Sequence, residues 1–146
     1  MRRKLFTIGY IGLTLDEFID GLHLHGVECL IDTREIPISR KKGFSKSLLE
    51  AELARAGIAY RHFRLLGSPR LHRHSLRETG DYDLFFSEMA RHFASIEAIE
   101  AVKEAISLSR KMTSCLMCCC PEWQFCHRKS LVEAIGSMSY FSIRHL

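Results

Sequence analysis

Short apolar runs alternate with amphipathic segments along most of the 146-residue chain. The apolar runs are rich in β-branched and aromatic residues and are typical of buried strands. The segments between them repeat apolar residues every three or four positions, which is the spacing of a helix with one buried face. The pattern predicts strands over residues 5–10, 27–31, 58–63, 113–118 and 140–145.

Capping and turn residues predict where the helices begin and end. Thr14 and Glu17 have the spacing of a capping box ahead of the first helix, and Gly26 is placed to end it. Either Ser45 or Ser47 begins the second helix, with Ser47 and Glu50 as a second capping box. Later helices are expected over residues 82–93, 96–109 and 126–136. Residues 64–80 show no clear period and are predicted as a long loop.

Strands that alternate with helices predict an α/β fold, a three-layer sandwich with a mainly parallel central sheet and helices on both faces. The length suits one domain over residues 1–146. In such sheets ligands bind beyond the carboxyl ends of the strands. We therefore expect Tyr10, Asp32, Arg34, the loop after the third strand and the cysteine-rich turn to lie close together.

Composition limits the class of protein. An apolar content of 47% is typical of a globular chain, and a net charge of +4 favours anionic partners. No segment is long and apolar enough to span a membrane, and the basic start lacks the apolar stretch of a signal peptide. We expect a cytoplasmic protein with no membrane partner, and the sequence leaves its oligomeric state and any cofactor unknown.

Five of the six cysteines lie within residues 115–128, between the fourth predicted strand and the last predicted helix. Such crowding is unlike the dispersed cysteines of disulfide-linked secreted proteins, so the thiols are predicted to be reduced. Cys126 lies at a helix start, where the dipole and a neighbouring cation favour a thiolate, and Cys118 is a second candidate nucleophile. His127 and Arg128 are predicted to help bind an anion there. The alternative is a packed thiol beside a surface His–Arg pair.

Asp32 and Arg34 leave the second predicted strand with their side chains toward the same side. Arg34 is predicted to bind a phosphate or carboxylate, and Asp32 to orient the ligand or to act as a base. The alternative is an ion pair that orders the loop without binding any ligand. Tyr10 and Arg40, in the same predicted region, are added as ligand-binding residues.

Two further interpretations remain open. The first is a metal- or redox-responsive thiol protein, with Cys118, Cys120, Cys126 and His127 as an unusual set of zinc ligands. We assign no metal ligand from sequence. The second is a non-enzymatic nucleic-acid-binding module that uses the basic 61–77 loop, which contains no acidic residue and few aromatic ones.

A series of short motifs spans nearly the whole chain in a fixed order. The positions are Thr7-Ile8-Gly9-Tyr10 with Leu15 and Phe18; Asp32, Arg34, Pro37 and Ser39; Phe44; Gly57-Ile58 with Tyr60; Leu65 and Gly67; and Cys118, Pro121, Cys126-His127-Arg128 and Leu131. Together they resemble the domain of unknown function 488 family. The resemblance implies a compact α/β domain, and it supplies no established activity from which a catalytic role follows.

The chain departs from the family pattern at two places. Relatives often carry an acidic residue shortly after the first cysteine of the late motif, where this chain has Cys120. They often have paired glycines after the third strand, where this chain has Gly67 and Ser68. Taken together, the features of the sequence favour a protein that binds a phosphorylated or nucleotide-like ligand at the carboxyl ends of the strands, and they leave open whether it also processes that ligand.

Overall fold

The computed structural model describes residues 2–146, in which a five-stranded sheet lies between two layers of helices. The strands are β1 (Arg3–Gly9), β2 (Cys29–Asp32), β3 (Ala59–His62), β4 (Ser114–Cys118) and β5 (Phe141–His145). Their order across the sheet is β3-β2-β4-β1-β5, and every neighbouring pair is parallel. The predicted α/β sandwich with a parallel central sheet is confirmed.

Six α-helices surround the sheet in the described residues. They are α1 (Leu15–Leu24), α2 (Lys46–Arg55), α3 (Arg70–Thr79), α4 (Tyr82–Phe93), α5 (Ile96–Lys111) and α6 (His127–Met138). Buried side chains of α1 and α2 pack on one face of the sheet, and those of α4, α5 and α6 pack on the other. Within residues 2–146, no helix has the length and apolar character needed to cross a membrane.

Burial on both faces explains why the three central strands, β1, β2 and β4, are nearly continuous apolar runs. Successive side chains of a strand point to opposite faces. In β1, Leu5 packs with α4–α6, while Phe6 and Ile8 pack with α1 and α2. In β4, Leu116 and Met117 divide between the same two clusters. A strand of this kind shows no alternation of apolar and polar residues, because neither face meets water.

The two predicted capping boxes have different outcomes. Thr14 and Glu17 form the first one: the Glu17 amide donates to Thr14 Oγ1, and Glu17 Oε1 accepts from the Thr14 amide. The second is wrong, because α2 begins directly after Ser45 and Ser47 lies inside its first turn. An N-cap residue needs extended backbone angles, and Ser45 has them.

The segment predicted as a long loop is mostly helical, which corrects the expectation for residues 64–80. After a 3₁₀ turn, Pro69 precedes α3, and Gly80 ends that helix in the left-handed conformation with φ of 66°. The helix buries none of its side chains completely, and only the partly buried Leu76 packs against the core. It therefore lacks the apolar period by which a helix is identified from sequence.

The order of the strands creates a crevice at the centre of the sheet. From β1 the chain crosses to β2 on one side, and from β4 it crosses to β5 on the other. In parallel α/β sheets the carboxyl ends of two such neighbouring strands form the usual ligand site. Tyr10 follows β1, and the cysteine-rich turn follows β4, so both lie at this crevice.

Candidate functional site

A cleft of about 640 Å³ opens at the carboxyl edge of the sheet. Its volume lies in the range of small-molecule sites, about 300–1,000 Å³. Among the residues predicted from sequence, Tyr10, Arg34, Cys118, Cys126 and His127 line it. They come from the ends of three strands and the start of α6, so the cleft joins segments that are distant in sequence.

Two glycines allow the loops around the cleft to approach the ends of the strands. A Cβ atom on Gly9 would overlap the carbonyl oxygen of Cys120, because the cysteine-rich turn passes directly over the end of β1. A Cβ atom on Gly67 would overlap the amide nitrogen of Glu35 and crowd the carbonyl oxygen of Thr33. Both positions therefore require glycine for close backbone packing rather than for an unusual φ angle.

Asp32 and Arg34 form a buried, bidentate ion pair on one side of the cleft. The Nη2 group of Arg34 donates to Asp32 Oδ2 at 2.7 Å, and its Nε group donates to Oδ1 at 2.9 Å. The Tyr60 hydroxyl also donates to Oδ2, at 2.5 Å. Asp32 is completely buried and does not line the cleft, so its carboxylate holds Arg34 in place from behind.

The third guanidinium nitrogen of Arg34 also binds a protein group. Its Nη1 group donates to the carbonyl oxygen of Phe44 at 2.6 Å. Burial acts to lower the pKa of Arg34, but the bonds and charge of Asp32 outweigh it and raise the pKa, so the guanidinium stays protonated. Burial, followed by the bond to Asp32, raises the pKa of Tyr60. The charge of Arg34 is thus compensated inside the protein.

His127 is held in one tautomer by Thr33. The Thr33 hydroxyl donates to the carbonyl oxygen of Met117 at 2.8 Å, so toward His127 it acts as an acceptor. The Nε2 atom of His127 lies 3.0 Å from this hydroxyl oxygen and 3.1 Å from the carbonyl oxygen of Thr33. Since both partners accept, Nε2 carries the proton and Nδ1 has the free lone pair. Burial lowers the pKa of His127, which favours this neutral form.

Three thiols gather beside His127. The sulfur atoms of Cys118, Cys120 and Cys126 all lie within 4.8 Å of one another, and Cys118 Sγ is 2.9 Å from Cys126 Sγ. The Sγ atom of Cys126 is also 3.7 Å from His127 Nδ1, the atom that can accept its proton. Cys126 is the N-cap residue of α6, as the sequence predicted for a thiol at a helix start.

The surroundings divide the thiols into two groups. Hydrogen bonds from Cys118 and Cys120, then the Arg128 amide and guanidinium, lower the pKa of Cys126 despite its burial. Hydrogen bonds from Cys118 and Cys119 lower the pKa of Cys120. In contrast, burial raises the pKa of Cys29 to about 11. The same effect of burial raises the pKa of Cys118 and Cys115.

Arg128 carries a buried positive charge behind the thiols. It is 1% exposed, and it donates to Thr7 Oγ1 at 3.1 Å and to the carbonyl oxygen of Cys120 at 2.6 Å. Its Nε atom has no hydrogen-bond partner, and no carboxylate in residues 2–146 forms an ion pair with it. A buried cation without a counter-charge is costly, so the neighbouring sulfur atoms are the groups placed to supply negative charge.

The basic segment predicted as a nucleic-acid-binding loop comprises the end of β3, a short turn and α3. Several of its basic side chains contact carboxylates: Arg61 pairs with Glu104, and Arg73 pairs with Glu35. Arg77 differs, because it is exposed, lines the cleft and makes no ion pair or side-chain hydrogen bond in the described part of the chain. Arg40 is exposed and does not line the cleft.

Sequence reasoning missed several residues that build the site. Arg77 falls in the segment that the sequence predicts as an irregular loop, whereas in the structure it lies in the last turn of α3 and lines the cleft. The sequence predicts no role for Thr33, which lies between Asp32 and Arg34, although in the structure it orients His127. Besides Tyr10, which was predicted, the aromatic part of the wall comes from Tyr82, Phe85 and Phe125. A helical assignment of residues 70–79 would have revealed Arg77, whereas the role of Thr33 depends on contacts between distant segments.

Comparison with known proteins gives one match. Residues 14–135 match the family described as "Domain of unknown function DUF488". No curated protein and no solved structure matches the chain significantly. The matched region includes α1 and most of α6. It also includes Glu35 and Cys120, the two residues that pack closely against Gly67 and Gly9. The chain therefore belongs to the DUF488 family.

Proposed function

We propose that this protein binds a small anionic molecule in the carboxyl-edge cleft and processes it through the thiol of Cys126. The observation that carries the proposal is that one cleft contains an unpaired cation, Arg77, together with a cysteine and a histidine in hydrogen-bonding contact. The size of the cleft suits a phosphorylated sugar or a nucleotide-like molecule.

The charge of the cleft supports an anionic ligand. The residues that line the cleft include three arginines and one carboxylate, which give a formal net charge of +2. They are Arg34, Arg73, Arg77 and Glu35. Asp32 compensates Arg34 from behind, and Glu35 compensates Arg73. The excess positive charge is therefore that of Arg77, whose guanidinium is free to make charge-assisted hydrogen bonds to a phosphate or carboxylate.

The arrangement of Cys126, His127 and Thr33 supports nucleophilic chemistry. A nucleophile, a base and a group that orients the base are the parts of an activated-thiol site. In the proposed step, Cys126 Sγ forms a bond to an electrophilic acyl or phosphoryl centre of the ligand. The thiol proton passes to His127 Nδ1, and the leaving group departs with the electron pair of its bond. Thr33 keeps the proton on Nε2 and leaves Nδ1 free to accept.

The geometry favours a small ligand over a nucleic acid. A nucleic-acid-binding surface needs a continuous set of free cations that follow the phosphate backbone. Here Arg61, His72 and Arg73 all contact carboxylates. The unpaired Arg77 instead lines the partly aromatic cleft.

Calorimetric titration of the full chain tests the proposal, with inorganic phosphate, ribose 5-phosphate, adenosine monophosphate and uncharged ribose as probes. We expect at least one phosphorylated probe to bind and ribose not to bind. The variant Arg77→Gln should lower the affinity about tenfold or more, since a hydrogen bond to a charged group contributes about 1.5–3 kcal/mol. Arg70→Gln is the matched control, an exposed arginine of the same helix outside the cleft. Equal binding by wild type and Arg77→Gln would contradict the proposal.

A further inference from the structure

We infer that Cys118, Cys120 and Cys126 form a binding site for one thiophilic divalent cation, for which zinc is the reference metal. The inference rests on the positions of three sulfur atoms and one buried cation, and not on the binding of an anionic ligand in the cleft. It therefore goes beyond the proposed function, and either can fail without the other.

The spacing of the sulfur atoms fits a common metal ligand sphere. Zinc–thiolate bonds of about 2.3 Å in a tetrahedral site place the sulfur atoms about 3.8 Å apart. The three sulfur atoms here lie within 4.8 Å of one another, and the shortest pair, Cys118 and Cys126, is 2.9 Å apart. Their separations therefore change by about 1 Å or less when they move onto a shared ion.

Fixed parts of the fold carry the three ligands. Cys118 is the last residue of β4, and Cys126 is the N-cap of α6. The loop that bears Cys120 is held by the bond from Arg128 to its carbonyl oxygen and by close packing over Gly9. Preorganised ligands are the condition for a precise metal site, because little has to be reordered on binding.

The buried charge of Arg128 balances the loaded site. Three thiolates and one divalent cation carry a net charge of −1, and the nearby guanidinium contributes +1. Arg128 has no carboxylate partner in residues 2–146. The net negative charge of the metal–thiolate group would therefore neutralise the positive charge of Arg128. The neutral total removes much of the penalty of placing charges in a buried position.

The site has a consequence for the cleft. All three cysteines line it, so a fourth coordination position is left for a group that enters from the cleft, as in catalytic zinc sites with three protein ligands. A thiolate bound to the ion is no longer a free nucleophile. Metal loading would therefore withdraw Cys126 from the thiol chemistry proposed above, and metal removal would restore it.

The test uses the full chain, reduced and stripped of metal, titrated with zinc in competition with a chromophoric chelator. We expect one zinc ion per chain. Cobalt in place of zinc should give a thiolate-to-metal charge-transfer band and the strong visible bands of tetrahedral coordination. Cys120→Ser and Cys126→Ser should each lower zinc affinity by more than about 100-fold, beyond the cost of losing an outer-shell partner.

Cys119→Ser is the matched control. Cys119 is exposed and adjacent to Cys120, but its sulfur does not belong to the cluster. Serine keeps a hydrogen-bond donor toward Cys120 and removes no proposed ligand, so this substitution should lower zinc affinity by less than about tenfold. Circular dichroism establishes whether each variant is folded. If the buried Cys126→Ser variant does not fold, the zinc affinity of Cys120→Ser, at a partly exposed position, decides the question. Absence of stoichiometric zinc binding overturns the inference, and so does an equal loss of affinity in Cys119→Ser and Cys120→Ser.

Discussion

The Nη2 group of Arg34 lies 2.7 Å from Asp32 Oδ2, and neither side chain is appreciably exposed to solvent. The sequence left open whether these residues bind a ligand or pair with each other. In the structure they pair, and the pair supports the wall of the cleft. Arg34 still lines the cleft, so it shapes the site while Asp32 compensates its charge.

We predict that Asp32→Asn destabilises the protein strongly. The substitution leaves the Arg34 guanidinium buried without a counter-charge, a situation that typically costs about 3–5 kcal/mol. Chemical denaturation of the wild type and the variant measures the change in the free energy of unfolding.

Two other substitutions serve as controls for this loss. Glu104→Gln breaks the exposed pair with Arg61 and should cost no more than about 1 kcal/mol. Tyr60→Phe removes a single bond to the Asp32 carboxylate and should cost about 1.5–3 kcal/mol, the usual contribution of a hydrogen bond to a charged group. A loss of less than about 1 kcal/mol for Asp32→Asn would show that water reaches the pair.

Gly9→Ala should disrupt the cysteine-rich turn. The added methyl group would overlap the Cys120 carbonyl oxygen, so the turn must move away from β1. We expect a destabilisation of about 1–3 kcal/mol, the usual cost of overpacking, and a loss of the close approach between the three clustered sulfur atoms. Thermal unfolding measures the first effect, and zinc affinity measures the second.

Gly21→Ala is the matched control for that substitution. Gly21 lies within α1, and no atom would meet its added methyl group within 4 Å. This change should stabilise the protein by up to about 1 kcal/mol, because alanine is the better helix former. If Gly9→Ala behaves like Gly21→Ala, the turn is not packed against β1 as described.

The six thiols should differ widely in their rates of alkylation in the reduced, metal-free protein. Cys29 is buried and its pKa is raised to about 11, so only about one molecule in a thousand carries its thiolate at pH 8. Cys115 is fully buried, and its pKa is also raised. Both should react more than about 100-fold more slowly than Cys120, which is partly exposed and has a lowered pKa.

Timed alkylation followed by mass spectrometry ranks all six thiols in one experiment. The sequence alone pointed to Cys126 as the most reactive thiol, because it begins a helix. In the structure the pKa of Cys126 is lowered, as a helix start predicts, but its side chain is only 2% exposed. We therefore expect the partly exposed Cys120 to be alkylated before Cys126. Rates for Cys29 equal to those of Cys120 would contradict the described burial.

The fold was predictable because its signals are local. The central strands β2 and β4, and β1 from Leu5 onward, are nearly continuous apolar runs buried on both faces, whereas the edge strands β3 and β5 are partly exposed. Most helices are marked by an apolar period and an N-cap residue such as Thr14, Asp81 or Ser95. The helix α3 was missed because it lies on the surface and buries none of its side chains completely. Its boundaries at Pro69 and Gly80 were present in the sequence but had no apolar period between them.

The site was predictable only in part. A parallel sheet brings the ends of β1, β2 and β4 together, so the approach of Tyr10, Arg34 and the cysteine-rich turn followed from the order of the elements. The direction of individual side chains did not follow. Asp32 and Arg128 are buried and do not line the cleft, because they bind Tyr60 and Thr7, which belong to other strands.

The central claim is that Arg77 attracts an anion to reactive thiols in the cleft. The most direct test compares iodoacetate with uncharged iodoacetamide as alkylating agents of Cys120 and Cys126, with the rates followed by mass spectrometry in metal-free protein. The ratio of the two rates isolates the effect of ligand charge from the reactivity of each thiol. We expect Arg77→Gln to lower this ratio about fivefold at low salt, which corresponds to about 1 kcal/mol for one nearby charge. Arg70→Gln should leave it unchanged. An unchanged ratio in Arg77→Gln, or an equal fall in Arg70→Gln, would contradict the account.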